Sequence, residues 1–144
     1  MRPPSLRTLV FLAGVGQIVL SLASLAIPRV LRFREETARL RPLLREMFWT
    51  YAGYILCTNL SFGLLSALAP EWLLDGSPLA AAVTGFIAVY WGARLVIQFT
   101  YLDRSDAPPG AHVRMAETGL VALFVYLTAV YGLALAANLR GGAM

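Results

Sequence analysis

The chain has 144 residues, 58% of them apolar and 14% charged, with a mean hydropathy of +0.67. Soluble domains hold about 45 to 50% apolar residues, so this composition excludes an ordinary water-soluble globule and points to a bilayer. The net charge of +4 comes from twelve arginines without a single lysine, and their placement between apolar runs explains it without a nucleic-acid partner.

The first apolar run covers residues 8–28, 21 residues free of charge. About 20 residues at 1.5 Å each cross a hydrocarbon core of about 30 Å. A cleavable signal peptide competes for this run, because small residues stand at Ser24 and Ala26. Cleavage would leave three spans and export six arginines directly behind the signal, which basic flanks resist. An uncleaved span is the expectation.

Pro28 ends this run and Pro42 opens the next, since proline is tolerated in a first helical turn where its missing N–H costs nothing. Between them a helix would place Val30, Phe33, Thr37 and Leu40 on one stripe, with Arg32, Glu35 and Arg39 turned away. Glu35 with Arg39 and Arg32 with Glu36 stand four apart, within pairing reach. The arginines from Arg29 to Arg45 suit anionic lipid headgroups on a membrane surface, or a docking helix for a partner protein.

The second span is expected at 47–70, where Asn59 reaches the same depth as Gln17 in the first. An interhelical hydrogen bond between them is the economical expectation. Small residues four apart, Gly53, Cys57 and Ser61 here and Thr128, Gly132 and Ala136 later, would let backbones approach closely. The third span, 77–101, carries Arg94 sixteen residues beyond Pro78. That is about 24 Å into a core of about 30 Å, so the guanidinium reaches the far headgroups on its own stem. Glu117 opens the fourth span, 117–139, at the same end and is a candidate partner. Trp49, Trp72 and Tyr101 fall near interfaces, whereas Trp91 falls inside its span and reads as core. The cluster Pro108-Pro109-Gly110 marks a loop.

These runs do not alternate as barrel strands would, and helices are the other way to satisfy a backbone in lipid. The expected fold is an all-α membrane protein, one domain over 1–144, with four transmembrane helices in an antiparallel bundle and a short amphipathic interfacial segment between helices 1 and 2. Eight arginines lie in the connections after the first and third runs, against three at the termini. The positive-inside rule then puts both termini outside and the basic connections in the cytoplasm, across a cell inner (cytoplasmic) membrane.

Chemistry-bearing residues are sparse. One histidine, His112, lies in a loop and one cysteine, Cys57, lies mid-span, so neither paired-histidine haem ligation nor a clustered zinc site is available and no cofactor is expected. The polar residues that stand out as ligand-binding candidates are Arg94, Glu117, Asn59 and Gln17. The leading functional expectation is a non-enzymatic accessory or scaffold subunit, partnered by the lipid bilayer and by another membrane protein or a second copy. A lipid-binding or lipid-modifying protein with a polar pocket around Arg94 is the alternative, and a small transporter acting as an oligomer is third, because no mid-span carboxylate offers proton coupling.

Overall fold

A computed structural model describes residues 4–103, 105 and 109–141. Arg2, Arg104 and Pro108, which enter the charge count and the loop reading, lie outside the described residues. All regular structure among the described residues is helical. Helix α1 spans Leu6–Ser24, with the Ser5 hydroxyl accepting from the Thr8 N–H at its start. Two short helices follow, α2 at Ile27–Val30 and α3 at Phe33–Thr37. Pro42 opens α4, Pro42–Leu68, as its missing N–H predicts. A 3-10 turn at Pro70–Leu73 precedes α5, Pro78–Thr100, capped by Ser77, and α6 runs over Ala111–Gly141.

Four stretches are long and apolar enough to cross a membrane: Leu6–Val30, Pro42–Leu68, Pro78–Thr100 and Ala111–Gly141. The last starts six residues before the expected 117 and takes in His112, so the histidine sits in a first helical turn rather than a loop. A helix already propagating through lipid adds one hydrogen bond per residue, so it continues past the apolar boundary.

Helices α5 and α6 pack together, α1 packs on α4, and α1 also meets α6. The buried apolar cluster draws on Val10 and Ala13 of α1, Ile87 and Trp91 of α5, and Phe124, Leu127, Val130, Tyr131 and Ala134 of α6. Helix α4 is attached differently, because its buried residues are Gly63 and Ser66. A Cβ placed on Gly14 would fall 2.5 Å from the Ala67 backbone nitrogen and 2.8 Å from the Gly63 carbonyl oxygen. A Cβ on Gly63 would fall 2.9 Å from Ile18 Cγ1. The two backbones therefore touch, in the manner by which small residues bring membrane helices together.

The expected small-residue stripe on this helix needs correcting. Gly53, Cys57 and Ser61 are all exposed, and a Cβ on Gly53 would meet nothing within 4 Å. Of the α6 set, Thr128 lies 3.6 Å from where a Gly92 Cβ would stand, whereas a Cβ on Gly132 would meet nothing within 4 Å.

Beyond the end of α4, Asn138 in the last turns of α6 holds the 73–76 turn. Its amide nitrogen donates to the Leu73 carbonyl at 2.8 Å, and its oxygen accepts from the Gly76 N–H at 3.0 Å. Gly76 has φ +75°, a conformation a side chain would strain. In the same turn, the hydroxyl and N–H of Ser77 hold the Asp75 carboxyl below the usual carboxylate range.

The connection from α1 to α4 is not the continuous amphipathic helix expected. Arg32 adopts a left-handed conformation, φ 51°, and breaks it into α2 and α3. Across that break the ion pairs change partners, forming between Arg32 and Glu35 at 3.7 Å and between Arg39 and Glu36 at 3.6 Å, each three residues apart. Of the predicted stripe, Thr37 is buried and Phe33 packs edge-on against Phe48, whereas Val30 and Leu40 are exposed.

Candidate functional site

Gln17 is fully buried at the centre of the helices and does not touch Asn59. Its amide nitrogen donates to the Tyr131 hydroxyl at 2.6 Å and to the Ala13 carbonyl at 3.3 Å. Its oxygen accepts from the Trp91 indole N–H at 3.0 Å. The Tyr131 hydroxyl also shares a hydrogen bond with Ser66. One residue from each of α1, α4, α5 and α6 thus enters a single polar knot. Four polar groups in an apolar interior stabilise only when each has a partner, and here they satisfy one another.

Asn59 instead accepts from the Tyr90 hydroxyl at 2.8 Å, tying α4 to α5. The expected Gln17–Asn59 bond fails because α4 packs on α1 further along its length: Gly63 and Ser66 stand beside the Gly14–Ile18 stretch, which leaves Asn59, on the same face of α4, one to two turns away. Tyr90 also packs edge-on against Phe62, so α4 meets α5 through aromatic rings.

Arg94 and Glu117 come together through an intermediary. Arg94 donates to the Gln98 side-chain oxygen at 3.0 Å, and the Gln98 amide nitrogen approaches Glu117 at 3.5 Å. Among the described residues there is no direct Arg94–Glu117 ion pair. The Arg94 guanidinium also lies over the Phe124 ring, 5.0 Å from its centre, and Phe124 stacks on Trp91. A half-buried guanidinium in contact with a ring and an amide is a well-held cation. Lysine should retain the charge but lose the flat stacking and the fork. Arg94→Lys is therefore expected to insert normally and to cost about 1 kcal/mol of stability, read as a small drop in the melting temperature of the purified protein. A loss of membrane insertion would refute this structural role.

Two surface clefts lie where α1 ends. One, about 580 Å³, is lined by Arg29, Arg32, Arg34, Glu35 and Trp49, with Leu25 and Pro28. The other, about 470 Å³, is apolar, walled by Ile27, Phe33, Phe48, Ile55 and Leu56, with Asn59 among its lining residues. Pro28 and Trp49 line both. Sequence reasoning assigned these arginines to the membrane surface but not to a cleft.

The four candidate residues therefore occupy three places: Gln17 in the central knot, Asn59 against Tyr90 and the apolar cleft, and Arg94 joined to Glu117 by Gln98. Trp91, Tyr131 and Ser66 complete the knot without having been singled out as polar partners. Their signal was the hydroxyl or indole N–H that each carries within an otherwise apolar run, since such groups seek a partner in lipid. No protein-family model, curated protein or solved structure matches this chain.

Proposed function

We propose that this chain is a small, non-enzymatic multi-pass protein of the inner membrane, an accessory or scaffold subunit whose four long helices form an antiparallel bundle. The observation that carries the reading is the polar knot. It joins all four long helices through Gln17, Tyr131, Trp91 and Ser66, the last of these near the end of α4, and it uses their hydrogen-bonding capacity on one another. Such a knot suits a rigid unit better than a path through a single chain, because polar groups that serve a substrate must be free to exchange partners. Short connections between consecutive helices favour the antiparallel order.

In this reading both termini lie outside and the arginine-rich connection faces the cytoplasm, by the imbalance of eight arginines against three. Alkaline phosphatase fused after Met144 is expected to be active and green fluorescent protein at the same point dark. The opposite pair of results would overturn the orientation. Purification in mild detergent should recover a stoichiometric membrane-protein partner, and a chain that is always recovered alone would sink the accessory role. A lipid-binding role is the second reading, favoured by the adjoining clefts at Trp49.

A further inference from the structure

We propose that the two clefts at the junction of α1, α2, α3 and α4 form one site for a single anionic glycerophospholipid, with its phosphate against Arg29, Arg32 and Arg34 and an acyl chain along Phe33, Phe48 and Ile55. The inference deepens the second reading above and rests on the connection lying at a membrane surface, whichever side that is.

The backbone break creates the charged half. In an unbroken helix at 3.6 residues per turn, Arg29 and Arg34 would project about 140° apart and could not share a cleft. The left-handed turn at Arg32 ends α2 and starts α3 in a new direction, and all three arginines then line the same space. Glu35 is the one acidic residue lining that cleft, and Arg32 already pairs with it. Among the described residues neither Arg29 nor Arg34 is in an ion pair, so the cleft keeps net positive charge. A phosphodiester satisfies that charge through charge-assisted hydrogen bonds, whereas a zwitterionic headgroup would bring a cation into it.

The apolar half selects a lipid over a free anion. The 470 Å³ cleft begins at Pro28 and Trp49, where the charged cleft ends, and runs along α4 toward Asn59. Trp49 stands at the boundary of the two, and its indole N–H has no acceptor among the described residues, which suits the ester level of a phospholipid. Charge at one end and hydrocarbon at the other match an amphiphile.

The test uses the full-length protein reconstituted in vesicles of equal parts phosphatidylglycerol and phosphatidylcholine, extracted in mild detergent and weighed by native mass spectrometry. One phosphatidylglycerol should be retained in preference to phosphatidylcholine. Arg29→Gln with Arg34→Gln should lower that retention about twenty-five-fold, at about five-fold per arginine. Arg41→Gln with Arg45→Gln removes the same charge from the adjoining start of α4, outside the cleft, and should leave retention unchanged. Ala52→Trp, which fills the apolar cleft and keeps every arginine, should also release the lipid. Equal retention of the two lipids, equal effects of the two arginine pairs, or full retention by Ala52→Trp would each overturn the site. The phosphatase fusion and partner recovery read the proposed function separately, since neither depends on a retained lipid.

Discussion

Gly14→Ala is expected to be the most damaging single-methyl change in the protein. The added carbon would stand 2.5 Å from the Ala67 nitrogen and 2.8 Å from the Gly63 carbonyl oxygen, and both obstacles are backbone. Overpacking against side chains costs about 1–3 kcal/mol because rotamers can give way. Backbone atoms of a hydrogen-bonded helix cannot, so α4 must shift away from α1, at a cost of about 3 kcal/mol or more. Because Gly63 and Ser66 are the buried residues of α4, that shift loosens most of its attachment. Gly53→Ala, on the exposed face of the same helix, should be neutral or stabilising by up to about 1 kcal/mol through helix propensity alone. Thermal unfolding of the two purified variants decides the matter. A Gly14→Ala protein that melts with the parent would show that the helices do not meet by backbone contact.

Gln17→Leu should follow closely, with a coupling that identifies its partners. The substitution leaves the Trp91 N–H without an acceptor and takes one donor from Tyr131. A hydrogen bond inside a membrane protein contributes about 0.6 kcal/mol on average and at most about 1.7. Stranding a buried donor costs about 1–3 kcal/mol, so the loss is expected at about 2 kcal/mol. In a double-mutant cycle, Gln17→Leu and Tyr131→Phe should couple by about 1 kcal/mol, because each removes one side of the same bond. Gln17→Leu with Asn59→Leu should be additive to within about 0.5 kcal/mol, since the two share no partner. Coupling in the second cycle and additivity in the first would refute the knot.

These two expectations differ in how far the sequence could reach them. Gln17 and Asn59 stood out at once as polar residues in apolar runs, but counting residues put them level, whereas Gly63 and Ser66 are what α4 brings beside that stretch of α1. Gly14 and Gly63 did not stand out, because a glycine in a membrane helix faces lipid as readily as it faces another backbone, as Gly53 does. Arg94 and Glu117 fall at the same end by counting, yet the residue that joins them, Gln98, gave no signal beyond its own polarity. The arginine cleft lay further out of reach. It depends on a left-handed conformation at Arg32, a residue type that seldom adopts one.

Length and composition by themselves determined that this chain makes four long helices, because an apolar run of about 20 residues has few other ways to satisfy its backbone in lipid. Pro42 marked one helix start, since a missing N–H is harmless only in the first turn. What only the tertiary structure decided is the rotation of each helix about its axis. In water, an apolar stripe against a polar face fixes that rotation; in lipid all faces are apolar, so no pattern along the chain marks the side that packs. Residue numbers carry depth only to within a turn or two, whereas the offset of one helix along another and the direction around each axis are set by which small residues let backbones touch and which polar groups find one another. Gln17 meets Tyr131 and Trp91, and Asn59 meets Tyr90, for that reason.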